Sequence, residues 1–504
     1  ALELEMEAHR REPAAGHDRA ALALAERARA RSLLDLLEES GAEVRQGVNP
    51  ELGARRRDLE QRLEAKARRR LMLGTKDRDA VQRQALDEEL RALAGDLDTV
   101  DAEIRRQSPR YAELVRPRPL TAAALQELLD PGTLMLLYSL GDERSYLWAV
   151  SRSSLHSFEL PSRAVLEAAA RQVHDAWRLL EAGPGVRQKD DAAGEQLSRL
   201  VLAPAVALLA DHRLVVVADG ALQYIPFGAL PRPAAPGESL PAPERLLARH
   251  EIVSLPSASA LAVQRQLLAG RPPAPRTVAV LADPVFQADD PRLSPNGRAA
   301  SPAAARTGSL VGWERLAWSR TEADNIVRLA GRERSFVATD LDASLETLTS
   351  GRLRGYGIVH LATHGVMDAR QPALSGLVLS LVDKEGRERP GFLSLPEIYN
   401  LDLGADLVVL SGCETALGKE VRGEGLIGLA RGFQYAGAAR VLASLWRVQD
   451  RATAELMRRF YEALLGGSLT PAAALRQAQL SMLRDRRWSD PYHWAGFALY
   501  GDWR

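Results

Sequence analysis

The sequence predicts an α/β protein, with mostly parallel sheets flanked by helices and an all-helical region in front of them. Two observations predict it. From about residue 120 onward, short runs rich in β-formers alternate with segments of helical period. One of those runs, RLVVVADG (Arg213 to Gly220), is near-continuously apolar, the pattern of a strand covered on both faces.

The helical region comes first. ERARARSLLDLLEESG, within about Ala20 to Ser40, clusters Leu33, Leu34, Leu36 and Leu37 and places Gly41 where a helix C-cap belongs. Between Pro50 and Ser108 there is no internal proline, and Leu86, Leu90, Leu93, Leu97, Val100 and Ile104 alternate steps of four and three. That spacing predicts two long helices, Pro50 to Leu73 and Lys76 to Gln107, folded back at Gly74 and Thr75 as an antiparallel coiled-coil hairpin. The prolines of RPRPLT (Arg116 to Thr121) end it.

Two α/β units in tandem follow. In the first, strands are expected at Thr133 to Ser139, Ser145 to Ser151 and Leu155 to Leu160, then helices at Ser162 to Ala182 and Gly194 to Ala210, then strands at Arg213 to Gly220 and His250 to Leu255. GRPPAPR (Gly270 to Arg276) marks a boundary. In the second, strands are expected from Thr277, at Tyr356 to Thr363, Asp406 to Ser411 and Arg440 to Leu445. Helices fall at Ser319 to Ala330, Asp342 to Ser350 and Glu424 to Gly437, and Gln287 to Gly308 is a loop. The domain expectation is therefore residues 1–48 helical, 49–115 hairpin, 120–269 first α/β unit and 276–504 second.

Lys plus Arg equal Asp plus Glu at 66 each, so no net field draws the chain to nucleic acid or an anionic membrane, and no apolar run approaches spanning length. Cys413 is the single cysteine, which rules out an intrachain disulfide and fits a reducing, cytoplasmic setting. The first eleven residues lack both an initiator Met and the apolar core of a signal peptide, so the chain reads as a piece of something longer.

Chemistry concentrates at two strand ends. YGIVHLATHG sets His364 just past an apolar strand with Gly365 after it, and ADLVVLSGCETALG sets Cys413 just past another, after Gly412. Functional groups in an open parallel sheet gather beyond the carboxyl ends of the strands, so neighbouring strands would bring thiol and imidazole into one crevice. A nearby imidazole favours the thiolate, and the glycines let backbone N–H groups approach an oxyanion. His360 is the competing base, but it lies inside its strand, four residues earlier, and reads as a core histidine or one that supports the site from behind. GEGLIG (Gly423, Gly425, Gly428), with Asp450 further on, also matches a dinucleotide fingerprint, but eleven residues (412 to 422) separate it from its strand, and close helix packing explains the glycines better.

HLATHG, LVVLSGCETALG and GEGLIGLARGFQYAGAARVLASLWRVQD closely resemble the CHAT domain, a caspase-like module often found behind tetratricopeptide repeats. The resemblance runs from about Leu120 through LYSLGDERSYLW, VVVADGALQYIPFGAL and LLARHEIVSLPSASAL to WAGFALYGDWR. It implies tandem caspase-like units: a non-catalytic partner unit over 120–269 and a catalytic one over 276–504. It also implies a clan-CD cysteine peptidase with His364 and Cys413 as dyad, and Gly365, Gly412 and the Cys413 amide at the oxyanion. By similarity to separase, Asp450 receives a basic side chain before the cut bond, although Asp450 also reads as a helix N-cap. Asp283, Trp446 and Glu414 are further substrate-binding candidates. No metal or cofactor is called for. The partners implied are a protein or peptide substrate and an activator acting through the N-terminal helices; the alternative is a non-enzymatic caspase-like scaffold.

Overall fold

The structure, a computed structural model, describes residues 1–39, scattered positions between 51 and 103, and residues 120–178, 184–210, 212–235, 237–238, 244–293, 313–366, 375–412 and 425–504. The chain divides into two compact units, one of residues 1–42 with 119–504, the other of residues 43–118. In the smaller unit every described position is helical, Leu59, Leu86, Leu93 and Val100 are buried, and Lys66 pairs with Glu89. The expected turn at Gly74 and Thr75 lies outside the described residues.

The larger unit is built on fourteen described strands: β1 (Thr133–Ser139), β2 (Ser145–Val150), β3 (Leu155–Leu160), β4 (Arg213–Val217), β5 (Ile252–Ser254), β6 (Arg276–Pro284), β7 (Ser335–Asp340), β8 (Tyr356–Ala362), β9 (His364–Val366), β10 (Gly376–Val378), β11 (Phe392–Ser394), β12 (Leu407–Ser411), β13 (Arg440–Ser444) and β14 (Phe497–Gly501). Eleven of them form one sheet in the order β3-β2-β1-β4-β5-β14-β13-β12-β8-β6-β7, and β11-β10-β9 form a small second sheet. The apolar run that reads as a doubly covered strand is so placed, with Leu214 to Val217 buried at every position, and Leu407 to Ser411 are buried in the same way.

The two α/β units of the sequence are two halves of this single sheet. The join is β14, near the C-terminus, which runs parallel to β5 through Tyr500 opposite Ser254 and antiparallel to β13. The parallel set β1, β4, β5 and β14 therefore points opposite to the parallel set β13, β12, β8, β6 and β7. Functional groups beyond the strand ends of the second half thus lie on the edge away from the strand ends of the first.

Charge and aromatic stacking fasten the join. Arg265, in the Ala258–Leu268 helix, makes a two-pronged pair with Asp502 at 2.9 and 2.7 Å and lies 4.5 Å over the Trp503 ring. Trp503 Nε1 donates to Asp130 at 2.7 Å, and Gln264 of the same helix donates to the Ala438 carbonyl at 2.9 Å. The Leu2–Arg11 and His17–Glu39 helices belong to the same unit. Glu26, wholly buried, accepts from both the amide and the hydroxyl of Ser259 at 2.9 Å, in the first turn of the Ala258–Leu268 helix, where its charge offsets the helix dipole. Arg29 donates to the Tyr138 carbonyl, and Trp148 Nε1 to that of Asp18 at 3.0 Å.

Candidate active site

The condition set by the sequence is met at the level of the strands: β8 and β12 are parallel neighbours, paired from Leu407 opposite Ile358 to Ser411 opposite Ala362. The Thr363 amide then donates to the Ser411 carbonyl at 3.1 Å, and the Thr363 hydroxyl bonds the Val378 carbonyl of the small sheet. Thr363 thereby ties both sheets together one residue before His364. On the other strand Gly412 adopts φ +82°, and a Cβ there would meet Leu316 Cδ1 at 3.2 Å, so glycine is required where the chain turns off the sheet. Cys413 and Glu414 lie outside the described residues, as does Gly423; Gly425 and Gly428 belong to the Gly425–Tyr435 helix.

His364 is buried, and the rings of Phe286 and Trp313 each lie 5.1 Å from its own. Its Nε2 is 2.6 Å from the Glu314 carbonyl oxygen. A carbonyl oxygen only accepts, so Nε2 carries hydrogen, and in the neutral ring the lone pair is on Nδ1. Gly365 is buried in β9, opposite Leu377.

A buried polar chain underlies the two strand ends. The Ser411 hydroxyl donates to Glu322 Oε1 at 2.7 Å, the same oxygen is 2.8 Å from His360 Nε2, and His360 Nδ1 is 3.0 Å from the Tyr461 hydroxyl. His360 is fully buried within β8.

Asp450 is the first residue of the Asp450–Tyr461 helix, whose N-cap is Gln449, so it does not cap its own helix. Its Oδ2 instead accepts from the Trp318 amide at 2.9 Å, in the first turn of the Ala317–Ala330 helix. Burial pushes its carboxyl up to about 6; the hydrogen bond from Trp318 opposes that, and the charges of Glu322 and Asp283 add to it. No Arg or Lys lies within ion-pair distance of it among the described residues. Trp318 itself is 42% exposed, and the Arg451 guanidinium lies 5.4 Å from its ring centroid.

Two substrate-binding expectations are corrected by burial. Asp283 has no exposed surface: Arg315 grips it with two hydrogen bonds at 2.8 and 2.7 Å, and Arg320 at 3.3 Å and Arg292 at 3.0 Å complete the enclosure. That pairing raises the Arg315 pKa above its ordinary value. Asp283 also sits at φ +53° where the β6 register shifts, a left-handed conformation that costs a non-glycine residue about 1 kcal/mol. Trp446 is 2% exposed; its Nε1 donates to the Tyr492 carbonyl at 3.3 Å and its ring packs against His174, so it is interior packing instead of a cleft wall.

Sequence reasoning missed the Glu314 carbonyl, Trp313 and Trp318. A backbone acceptor leaves no mark in sequence, and the two tryptophans gain meaning only through their neighbours, His364 and Asp450.

A sequence model of the CHAT domain matches residues 191–502. Tetratricopeptide repeat protein 28 of Mus musculus and of Homo sapiens are each 38% identical to the chain over 109 residues, 22% of this chain and 4% of each relative's length. The chain thus spans only a small fraction of those relatives. Among solved structures, the Saccharomyces cerevisiae separase–securin complex aligns over 79% of this chain and 31% of that one, at 10% identity and a TM-score of 0.46. The Arg-specific cysteine proteinase gingipain R aligns over 68% of this chain and 74% of that one, at 9% identity and a TM-score of 0.35. The match to the CHAT model covers well over half of the sequence, and the chain belongs to the CHAT domain family.

Proposed function

We propose that the chain is a cysteine endopeptidase working through a Cys413–His364 dyad, with a preference for Arg or Lys before the cut bond. The observation that supports this reading is the pairing of β8 with β12, which sets Ala362 opposite Ser411 and lets the Thr363 amide reach the Ser411 carbonyl, one residue before His364 on one strand and two before the chain's single cysteine on the other. In this reading Cys413 attacks the scissile carbonyl as thiolate, and His364 gives a proton to the leaving amine. Water, activated by His364, then hydrolyses the acyl-enzyme and restores the thiolate. Backbone amides around Gly365, Gly412 and Cys413 receive the oxyanion. Asp450 supplies the anion for the basic side chain: it is partly buried, without a cationic partner among the described residues, and beside an exposed tryptophan whose face already accepts a guanidinium.

An activator would act through the helical N-terminus. Glu26 holds the start of the Ala258–Leu268 helix, and that helix reaches Ala438 and Asp502 beside β13 and β14, giving a packed route from the N-terminal helices toward the site half. The chemistry needs no metal and requires a reducing compartment to keep the thiol free.

The test is a peptide library that scans the residue before the cut bond, incubated with the wild type and with Cys413→Ala. Cleavage after Arg and Lys by the wild type alone is the expected result. Equal cleavage by Cys413→Ala would remove the thiol from the mechanism, and cleavage after apolar residues would remove Asp450 from the specificity pocket.

A further inference from the structure

His364 can serve as described only if the right ring nitrogen holds the proton, and the group that decides this is a backbone carbonyl in an irregular segment. Residues 313–316 belong to neither helix nor strand, so side chains must hold them in place. Gln287 reaches the Trp313 carbonyl at 3.2 Å from an exposed position. The stronger restraints converge on Asp283. Its carboxylate binds Arg315 through Nε and Nη2 at 2.8 and 2.7 Å, and its amide donates to the Ser319 hydroxyl at 3.0 Å, which in turn donates to the Leu316 carbonyl at 2.6 Å. Both residues that follow Glu314 are thus tied to Asp283. Arg292 and Arg320 brace the carboxylate from other directions and are themselves paired with Asp340, while Arg292 also holds Asp290. The cluster is closed and charge-balanced, three arginines against three aspartates, and the strained backbone at Asp283 places the carboxylate inside it.

We infer that Asp283 is a positioning residue: through its two-pronged pair with Arg315 it holds the Glu314 carbonyl against His364 Nε2 and so fixes which ring nitrogen carries the proton. The inference rests on the proposed dyad for its catalytic meaning, but the tautomer it fixes exists whether or not the chain cleaves peptides. Loosening the pair frees the 313–316 segment, and neutral His364 then divides between its two tautomers. Under the dyad reading, kcat falls while KM stays within about two-fold, because the segment orients the base and does not touch substrate.

The experiment labels the histidines with nitrogen-15 and reads the His364 tautomer above the end of that ring's own nitrogen-15 titration, where the imidazole is neutral, with His364→Gln identifying the signal. Wild type is expected to show the Nε2–H form. Arg315→Gln, at a side chain 45% exposed and so tolerated by the fold, and Asp283→Asn, with folding checked by circular dichroism, are expected to give a mixture of the two forms. Arg315→Lys is expected to do the same, since an ammonium cannot make the two-pronged contact. With peptide substrate, Arg315→Gln is expected to lose about 10²-fold in kcat. A wild-type Nε2–H signal that persists unchanged in folded Arg315→Gln overturns the inference, whatever the peptidase assay gives; an inactive wild type whose tautomer shifts with Arg315→Gln overturns only the dyad.

Discussion

Replacing His364 by Ala is expected to lower kcat/KM by about 10³ to 10⁴, and Cys413→Ala by at least as much, with the double variant no worse than the poorer single one. Nucleophile and base act as a unit, so once either is gone the other has nothing left to contribute. What survives is the activity owed to substrate binding and the oxyanion amides. His364 is buried between the Phe286 and Trp313 rings, so the alanine variant leaves a cavity and its melting temperature must be compared with that of the wild type before rates are read. Additive losses in the double variant would show that the two residues act apart.

The second large effect is on specificity. Asp450→Asn is expected to cut kcat/KM about 10²-fold for a substrate with Arg before the cut bond and to leave a neutral substrate within about two-fold. The wild type should also lose its preference for basic residues as pH falls through about 6, because the raised carboxyl then takes up a proton. The same shift has a sign for stability. A carboxyl whose folded pKa lies above its unfolded value of 3.8 is destabilising when ionised; the penalty is fully present above about 6 and is relieved as pH falls from there toward 3.8. The carboxyl is only partly buried, so solvent screening brings the penalty to about 1 kcal/mol. Asp450→Asn should therefore stabilise the free protein at about pH 8 and make little difference near pH 4, measured as urea midpoints at the two pH values. A site acid kept at a cost to the resting fold is what a substrate-binding role requires; a variant that destabilises at pH 8 would mark Asp450 as structural.

Much of this arrangement is legible in the sequence, and the illegible parts have physical reasons. A near-continuous apolar run such as LVVV between turn residues reads as a strand covered on both faces, and a strand that stops at a glycine-marked turn marks an edge where chemistry can be held. That sufficed to find the neighbouring strand ends at Thr363 and Gly412. Strand β7, with its SFVATD mixture of apolar and polar residues, and the three-residue strands of the small sheet carry no period long enough to read. The union of the two halves turns on one opposed pair, Tyr500 and Ser254, which has no local signature. Asp283 looked like a pocket acid because it ends a strand; its three arginines come from positions 292, 315 and 320, and only the fold gathers them. Asp450 was ambiguous because a carboxylate at the start of a helix fits both a cap and a pocket. In the structure Gln449 occupies the N-cap position without a side-chain capping bond, and the Asp450 carboxylate turns to the first turn of a different helix.

The most direct test of the dyad uses the chemistry of the lone thiol. With Cys413 the only cysteine in the chain, the rate of carbamidomethylation by iodoacetamide against pH reports its thiolate fraction with no substrate needed. In the wild type the midpoint should lie well below about 8.5, the ordinary cysteine value, and His364→Ala should return it there. Superimposable curves for the two proteins would mean that the imidazole does not act on the sulfur, and the peptidase reading would be wrong.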